Sequence, residues 1–165
     1  MFVKLKKVSV AAGGAICALY ALGALGIISP AWAGEAPDWK IKDGTIPVTV
    51  TLKGITETEG PIYVSIQTRE NYRSMKGFGG MLSEPSLGDI TQTFNVDAPG
   101  NYAVSVWHDL DDDGRFSMTE DYTVLDGWGA SGDVPADREP TFDDVQIDIK
   151  ESGSDVSVEM RYPAE

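Results

Sequence analysis

The chain has 165 residues and carries 26 acidic side chains against 13 basic ones, a formal charge of −13. A balance this acidic repels nucleic acid and anionic lipid surfaces, and it makes cations the natural partners. One cysteine cannot form an internal disulfide, so the fold rests on its core or on a metal.

Residues 1–33 have the order of an export signal. Lys4, Lys6 and Lys7 are followed by an apolar run from Val8 to Ile28, a break at Pro30 and the small residues Ala31 and Ala33. Cleavage is expected between Ala33 and Gly34. That step removes Cys17, whose neighbour Ile16 does not suit lipid attachment. The expected product is residues 34–165, one domain without a cysteine or a membrane span, located in the periplasm or secreted. Losing three lysines moves its formal charge from −13 to −16.

Beyond the signal, apolar and polar residues alternate with the period of β-strands, and no convincing helix appears. Ile46, Val48, Val50 and Leu52 form the first apolar face, and Ile62, Val64 and Ile66 the second. Ile90, Phe94 and Val96 give a third. After the turn Pro99-Gly100-Asn101 come Tyr102, Val104, Val106 and His108. Val145, Ile147 and Ile149 make a fifth run, and Val156, Val158, Met160 and Tyr162 a sixth. A short seventh is drawn at residues 122–125. Strands with one apolar face each predict an all-β fold, a two-sheet antiparallel β-sandwich.

Two stretches break this rhythm. Residues 69–88 contain four glycines and a proline with Arg69, Arg73 and Lys76, and read as a long basic loop over one end of the sandwich. Residues 127–140 read as a return connection anchored by Trp128.

The chemically specific segment is Asp109-Leu110-Asp111-Asp112-Asp113-Gly114-Arg115-Phe116-Ser117-Met118-Thr119-Glu120. It carries acids at positions 1, 3 and 5, glycine at 6 and glutamate at 12, the pattern of an EF-hand calcium loop. Calcium takes six to eight oxygens, and alternate acids on a turning loop aim theirs at one point. The expected ligands are the carboxylates of Asp109, Asp111 and Asp113, the carbonyl of Arg115, Ser117 directly or through water, and Glu120. Because a strand precedes the loop and no helix follows, Ser117 or Asp121 is an alternative to Glu120. An acidic solvated turn is the competing reading, since Asp and Gly suit turns by themselves.

The stretch Gly100-Asn101-Tyr102-Ala103-Val104-Ser105-Val106-Trp107-His108-Asp109 leads into the acidic loop. Gly127-Trp128-Gly129-Ala130-Ser131 and Pro140-Thr141-Phe142-Asp143-Asp144 follow in that order. Together they resemble the exported bacterial family called domain of unknown function 2141. Its pattern is a G-x-Y-A-v-x-v-x-H-D strand, an N/D-x-N/D-G loop, a G-x-G-x-S segment and a P-x-F-x-x-A strand start. Val145 replaces the usual alanine of the last element, and Gly132-Asp133 stands where asparagine is common. The resemblance implies an exported β-sandwich of transthyretin-like or prealbumin-like character, and no established reaction.

His108 is the only histidine. With no nucleophile elbow and no cysteine in the expected product, a structural role at a strand end is the simpler reading. The expected function is therefore a non-catalytic exported protein whose calcium loop is tied to the sheet. Two alternatives stay open. One is an envelope module that binds glycan, peptide or protein through loop 69–88 and exposed Trp39, Trp107 or Trp128. The other is a hydrolase using His108 and neighbouring acids.

Overall fold

The computed structural model describes residues 44–74, 76–120 and 123–163. The expected signal and its cleavage point, Cys17 and Trp39 lie outside these residues.

The alternating runs form strands that pack as two sheets. β1 (Ile46–Ile55), β2 (Ile62–Thr68), β3 (Phe78–Leu82), β4 (Gly88–Val96), β5 (Gly100–His108), β6 (Gly127–Ala130), β7 (Gln146–Ile149) and β8 (Ser154–Glu159) follow in chain order. A single helical turn, α1 (Phe142–Val145), precedes β7. One sheet has the order β4-β1-β8, with β4 antiparallel and β8 parallel to β1. The other has the order β3-β2-β5-β6, and β7 pairs with the first half of β5.

The apolar faces read from the sequence meet between the sheets. Val48, Val50, Val64, Ile66, Val96, Val104 and Val158 are wholly buried there, while Phe94, Ile147, Met160 and Tyr162 pack on the rim. The outward face of the smaller sheet is polar, with Thr49 opposite Thr93 and Thr51 opposite Thr91. That division of apolar and polar residues is what fixes the strand register.

The larger sheet is covered on its outer side as well. Residues 131–145 cross β5 and bury Ala103 beneath Phe142 and Val145, with Tyr72 and Val134 alongside. Ser131 stitches this strap down: its backbone N–H donates to the Val104 carbonyl at 2.9 Å, and its hydroxyl accepts from the Val104 N–H at 2.9 Å. Further along the same face, Met81, Tyr63, Trp107 and Trp128 stand opposite one another across four strands. One side of the sandwich is closed by reciprocal backbone bonds between Trp128 and Arg161, at 2.9 and 2.7 Å.

Several boundaries differ from the sequence reading. The segment 69–88 is not one long loop, because Phe78–Leu82 pairs along β2 as β3. Its glycines hid the strand: Gly79 and Gly80 have no side chain to show alternation. The basic part is a tight turn, in which the Gln67 amide donates to the carbonyls of Asn71, Ser74 and Lys76. The segment 127–140 begins as strand β6 rather than as a connection. Val145 belongs to α1, where Thr141 and Asp144 form a capping box. The short strand drawn at 122–125 is, among the described residues, a single bridge between Val124 and Met118.

Candidate metal centre

The acidic loop leaves β5 at the end where the β1–β2 connection passes beneath it. The Asp109 N–H donates to the Pro61 carbonyl at 3.0 Å, so its backbone still belongs to the sheet edge. Gly60 packs directly against the Asp109 carbonyl with φ +70, and a Cβ there would lie 1.7 Å from that oxygen. Only glycine allows both the backbone angle and the approach.

Asp109 is completely buried. One carboxylate oxygen accepts the Asp113 N–H at 3.2 Å and the other the Gly114 N–H at 3.0 Å. These bonds fold the loop over the carboxylate, with Asp112 at φ 53 and Gly114 at φ 75 turning the chain. Burial raises the Asp109 carboxyl to about 6, the charges of Asp126 and Asp111 push the same way, and the two N–H donors oppose them.

Asp126, which begins the approach to β6, is the second buried carboxylate at 1% exposure. It accepts the Leu110 N–H at 3.1 Å, the Ser117 N–H at 2.8 Å and the Trp107 indole N–H at 2.9 Å. It thereby holds both ends of the acidic loop and the aromatic side chain beneath it. Trp107 stacks on Tyr63 with ring centres 4.8 Å apart and meets the edge of Phe116 at 6.3 Å. The Tyr63 hydroxyl is shifted upward by burial and by the nearby charges of Asp109 and Asp112.

Carboxylate oxygens of Asp109, Asp111 and Asp126 lie within 4.8 Å of one another. Asp109 and Asp126 are buried and Asp111 is exposed, so the group sits at the protein surface with two of its members inside. None of the ion pairs of the described residues involves these three acids: the pairs are Lys53–Glu159, Arg69–Asp143, Arg73–Glu139 and Arg138–Asp144. Buried carboxylates without a cation are costly, and N–H donors supply only partial charge.

The other sequence-predicted ligands are placed differently. Asp113 turns back on its own loop and accepts the Arg115 N–H at 2.8 Å. Ser117 is held by Asp126 through its backbone, and its carbonyl accepts the Leu125 N–H at 2.9 Å. Glu120 is exposed, next to Thr119, whose N–H donates to the Thr123 carbonyl at 2.9 Å. It is not part of the carboxylate group. Asp121 lies outside the described residues. Asp126 was not picked out from the sequence, because it lies outside the twelve-residue loop. The signal that existed was the indole of Trp107, whose position opposite the core face left it either exposed or covered by a loop.

His108 is wholly buried beside this centre. One ring nitrogen, Nε2, lies 2.8 Å from the Glu59 carbonyl and therefore carries the proton; Nδ1 accepts from the Tyr162 hydroxyl at 3.0 Å. Burial lowers the histidine below its ordinary value and raises the Tyr162 hydroxyl to about 12. The pair rivets the β1–β2 connection and the C-terminal segment to the end of β5.

The basic side chains of 69–73 are neutralised locally. Arg69 pairs with Asp143 and lies 4.5 Å over the Phe142 ring, and Arg73 pairs with Glu139 at 2.9 Å.

These features define an all-β sandwich with an acidic surface loop anchored at one sheet end over two buried carboxylates. The chain belongs to the family described as "Uncharacterized protein conserved in bacteria (DUF2141)", which matches residues 50–157. That span runs from β1 to β8 and includes the loop and Asp126. No curated protein and no solved structure matches the chain at a significant level. Among the described residues, no helix is long and apolar enough to cross a membrane.

Proposed function

We propose that this is a non-catalytic exported protein of the periplasm or the extracellular space, in which one calcium ion joins the acidic loop to the sheet. The observation that carries the reading is the pair of buried carboxylates, Asp109 and Asp126, gathered with Asp111 and, among the described residues, in no ion pair with a cationic side chain. A divalent cation would compensate both. Hard oxygen donors suit calcium or magnesium, and an irregular, partly exposed carboxylate set suits calcium, which tolerates flexible geometry and more ligands. In this reading Asp126 takes the position that the loop pattern assigns to Glu120. Asp113 and Gly114 serve mainly to hold Asp109 in place.

A weak site is sufficient outside the cytoplasm. With a dissociation constant of about 0.1 mM and about 1 mM free calcium, binding stabilises the fold by roughly 1.4 kcal/mol. The consequence is mechanical: the 109–126 segment is fixed over Trp107 and the end of β5. His108 supports the non-catalytic reading, since both ring nitrogens are engaged and the side chain has no exposure.

The test uses terbium as a calcium substitute. Trp107 donates its indole N–H to Asp126, so a bound terbium ion should be sensitised by tryptophan excitation and displaced by millimolar calcium. Absence of sensitised emission, together with no calcium heat in calorimetry up to 10 mM, would leave the segment an acidic turn.

A further inference from the structure

Residues 131–145 leave the larger sheet and return to it on the same strand. β6 ends at Ala130, paired with the second half of β5, and β7 begins at Gln146, paired with the first half. The excursion between them has the form of an Ω-loop, whose ends meet at a narrow neck. There the Asp133 N–H donates to the Asp144 carbonyl at 2.8 Å, and Gly132, at φ +71, packs where a Cβ would lie 2.5 Å from that oxygen. Within the loop Asp144 is a hub. Its carboxylate accepts from Arg138 Nη1 and Nη2 at 2.7 and 2.6 Å, and from the Thr141 N–H and hydroxyl at 2.7 and 2.6 Å. The loop is therefore braced internally, and swinging it about the neck breaks no strand pairing of β5.

The far end of the loop is fastened to a different element, the turn between β2 and β3. The Pro140 carbonyl accepts from the Tyr72 hydroxyl at 3.2 Å and from the Arg73 guanidinium, which also pairs with Glu139 at 2.9 Å. Arg69 pairs with Asp143 and lies over the Phe142 ring, and Tyr72 meets that ring edge-on at 5.6 Å. A basic turn thus closes on an acidic loop and presses Phe142 and Val145 onto Ala103, in a cluster separate from the core between the sheets. Two features make this fastening reversible. The ion pairs are exposed or partly exposed, where such pairs are weak and screened by salt. Arg73 also holds a left-handed φ of 62, a strain that release would relieve.

We propose that residues 132–144 are a lid that opens as one unit about its neck, and that Arg69 and Arg73 form an electrostatic latch whose hold follows ionic strength. Opening bares the outer face of β5 at Ala103 and leaves the core between the sheets packed. The lid lies beyond the calcium reading and does not depend on it, since its residues are not those of the Asp109, Asp111 and Asp126 group.

The test reads thiol labelling in the full chain, in chelator, with Cys17→Ser so that one introduced cysteine is the only thiol. Ala103 and Val104 are neighbours with no exposure, the first under the lid and the second in the core. Ala103→Cys should label roughly tenfold faster than Val104→Cys, or more, because local opening precedes global unfolding. Raising sodium chloride from about 0.05 M to about 1 M should speed the labelling of Ala103→Cys about threefold or more, since salt screens the latch charges. Adding Arg69→Gln and Arg73→Gln should give the fast rate already at low salt. Lys53→Gln, which breaks an ion pair in the smaller sheet, should leave the rate and its salt response unchanged. Equal rates for the two cysteines overturn the proposal, as does an Ala103→Cys rate that either salt or the double arginine substitution leaves unchanged. Should Ala103→Cys fail to fold, methyl relaxation dispersion of the unsubstituted chain decides. Millisecond exchange at Ala103 and Val145 that grows with salt, with Val50 and Val156 quiet, supports the lid, and uniform profiles at all four overturn it.

Discussion

Replacing Asp126 with asparagine separates the two duties of this side chain. The carboxylate accepts three N–H groups, from Leu110, Trp107 and Ser117, with two of them sharing Oδ2. Asparagine keeps one acceptor oxygen and presents N–H₂ where the other stood. At least one buried donor then loses its partner, which costs about 1–3 kcal/mol. Against this, the like charge facing Asp109 disappears. Two charges with oxygens up to 4.8 Å apart repel by about 3 kcal/mol at an effective dielectric of roughly 20. The two effects nearly cancel, so the chelated Asp126→Asn protein should melt within a few degrees of wild type. With calcium the outcome should diverge. Wild type should gain roughly 1.4 kcal/mol at about 1 mM calcium, near 5 °C in melting temperature for a domain of this size, and the variant should gain almost nothing. The assay is a pair of thermal melts, each with calcium, with magnesium and with chelator. A variant that keeps the full calcium-induced rise would refute Asp126 as a ligand. An equal rise with magnesium would refute the calcium-specific reading.

Glu120→Gln should change the calcium-induced rise by less than half, whereas Asp111→Ala should abolish it; the reverse order in the same melts would restore the twelve-residue pattern. Asp109 gives a pH test. Its folded carboxyl stands near 6 against an ordinary 3.8, so the metal-free fold binds the extra proton between those values. From this group, metal-free stability should rise as pH falls from about 6 toward 3.8, while calcium affinity drops about tenfold per unit below 6. His108 acts oppositely: its folded value is lowered, so its contribution is present above its ordinary 6.5 and is lost as pH falls below it. Comparing chelated denaturation curves of wild type and Asp109→Asn across pH 4–8 isolates the aspartate contribution. Gly60→Ala should destabilise by at least 2 kcal/mol in urea unfolding, because the added Cβ overlaps the Asp109 carbonyl at a left-handed backbone angle. Val104→Asp should prevent folding, read as loss of near-ultraviolet dichroism, since it buries an unpaired charge at a position with no exposure.

The sequence alone determined six strands, β1, β2, β4, β5, β7 and β8, and which side of each faces inward. Alternation of Val48 with Thr49, Val64 with Ser65 and Val104 with Ser105 has a period of two. Burying one set requires exposing or separately covering the other, and that constraint is local. The acidic loop was legible for the same reason, since spacing within twelve residues survives without tertiary information. Strand β3 was not legible, because Gly79 and Gly80 carry no side chains and their pairing is decided by β2. Nor could spacing show which acid joins Asp109 and Asp111. Glu120 fits the linear pattern, yet it stands exposed outside the carboxylate group. The return of the chain into β6 brings Asp126 beneath the loop, onto the indole of Trp107. That juxtaposition depends on how β5, β6 and the loop between them pack, which distance along the chain does not encode.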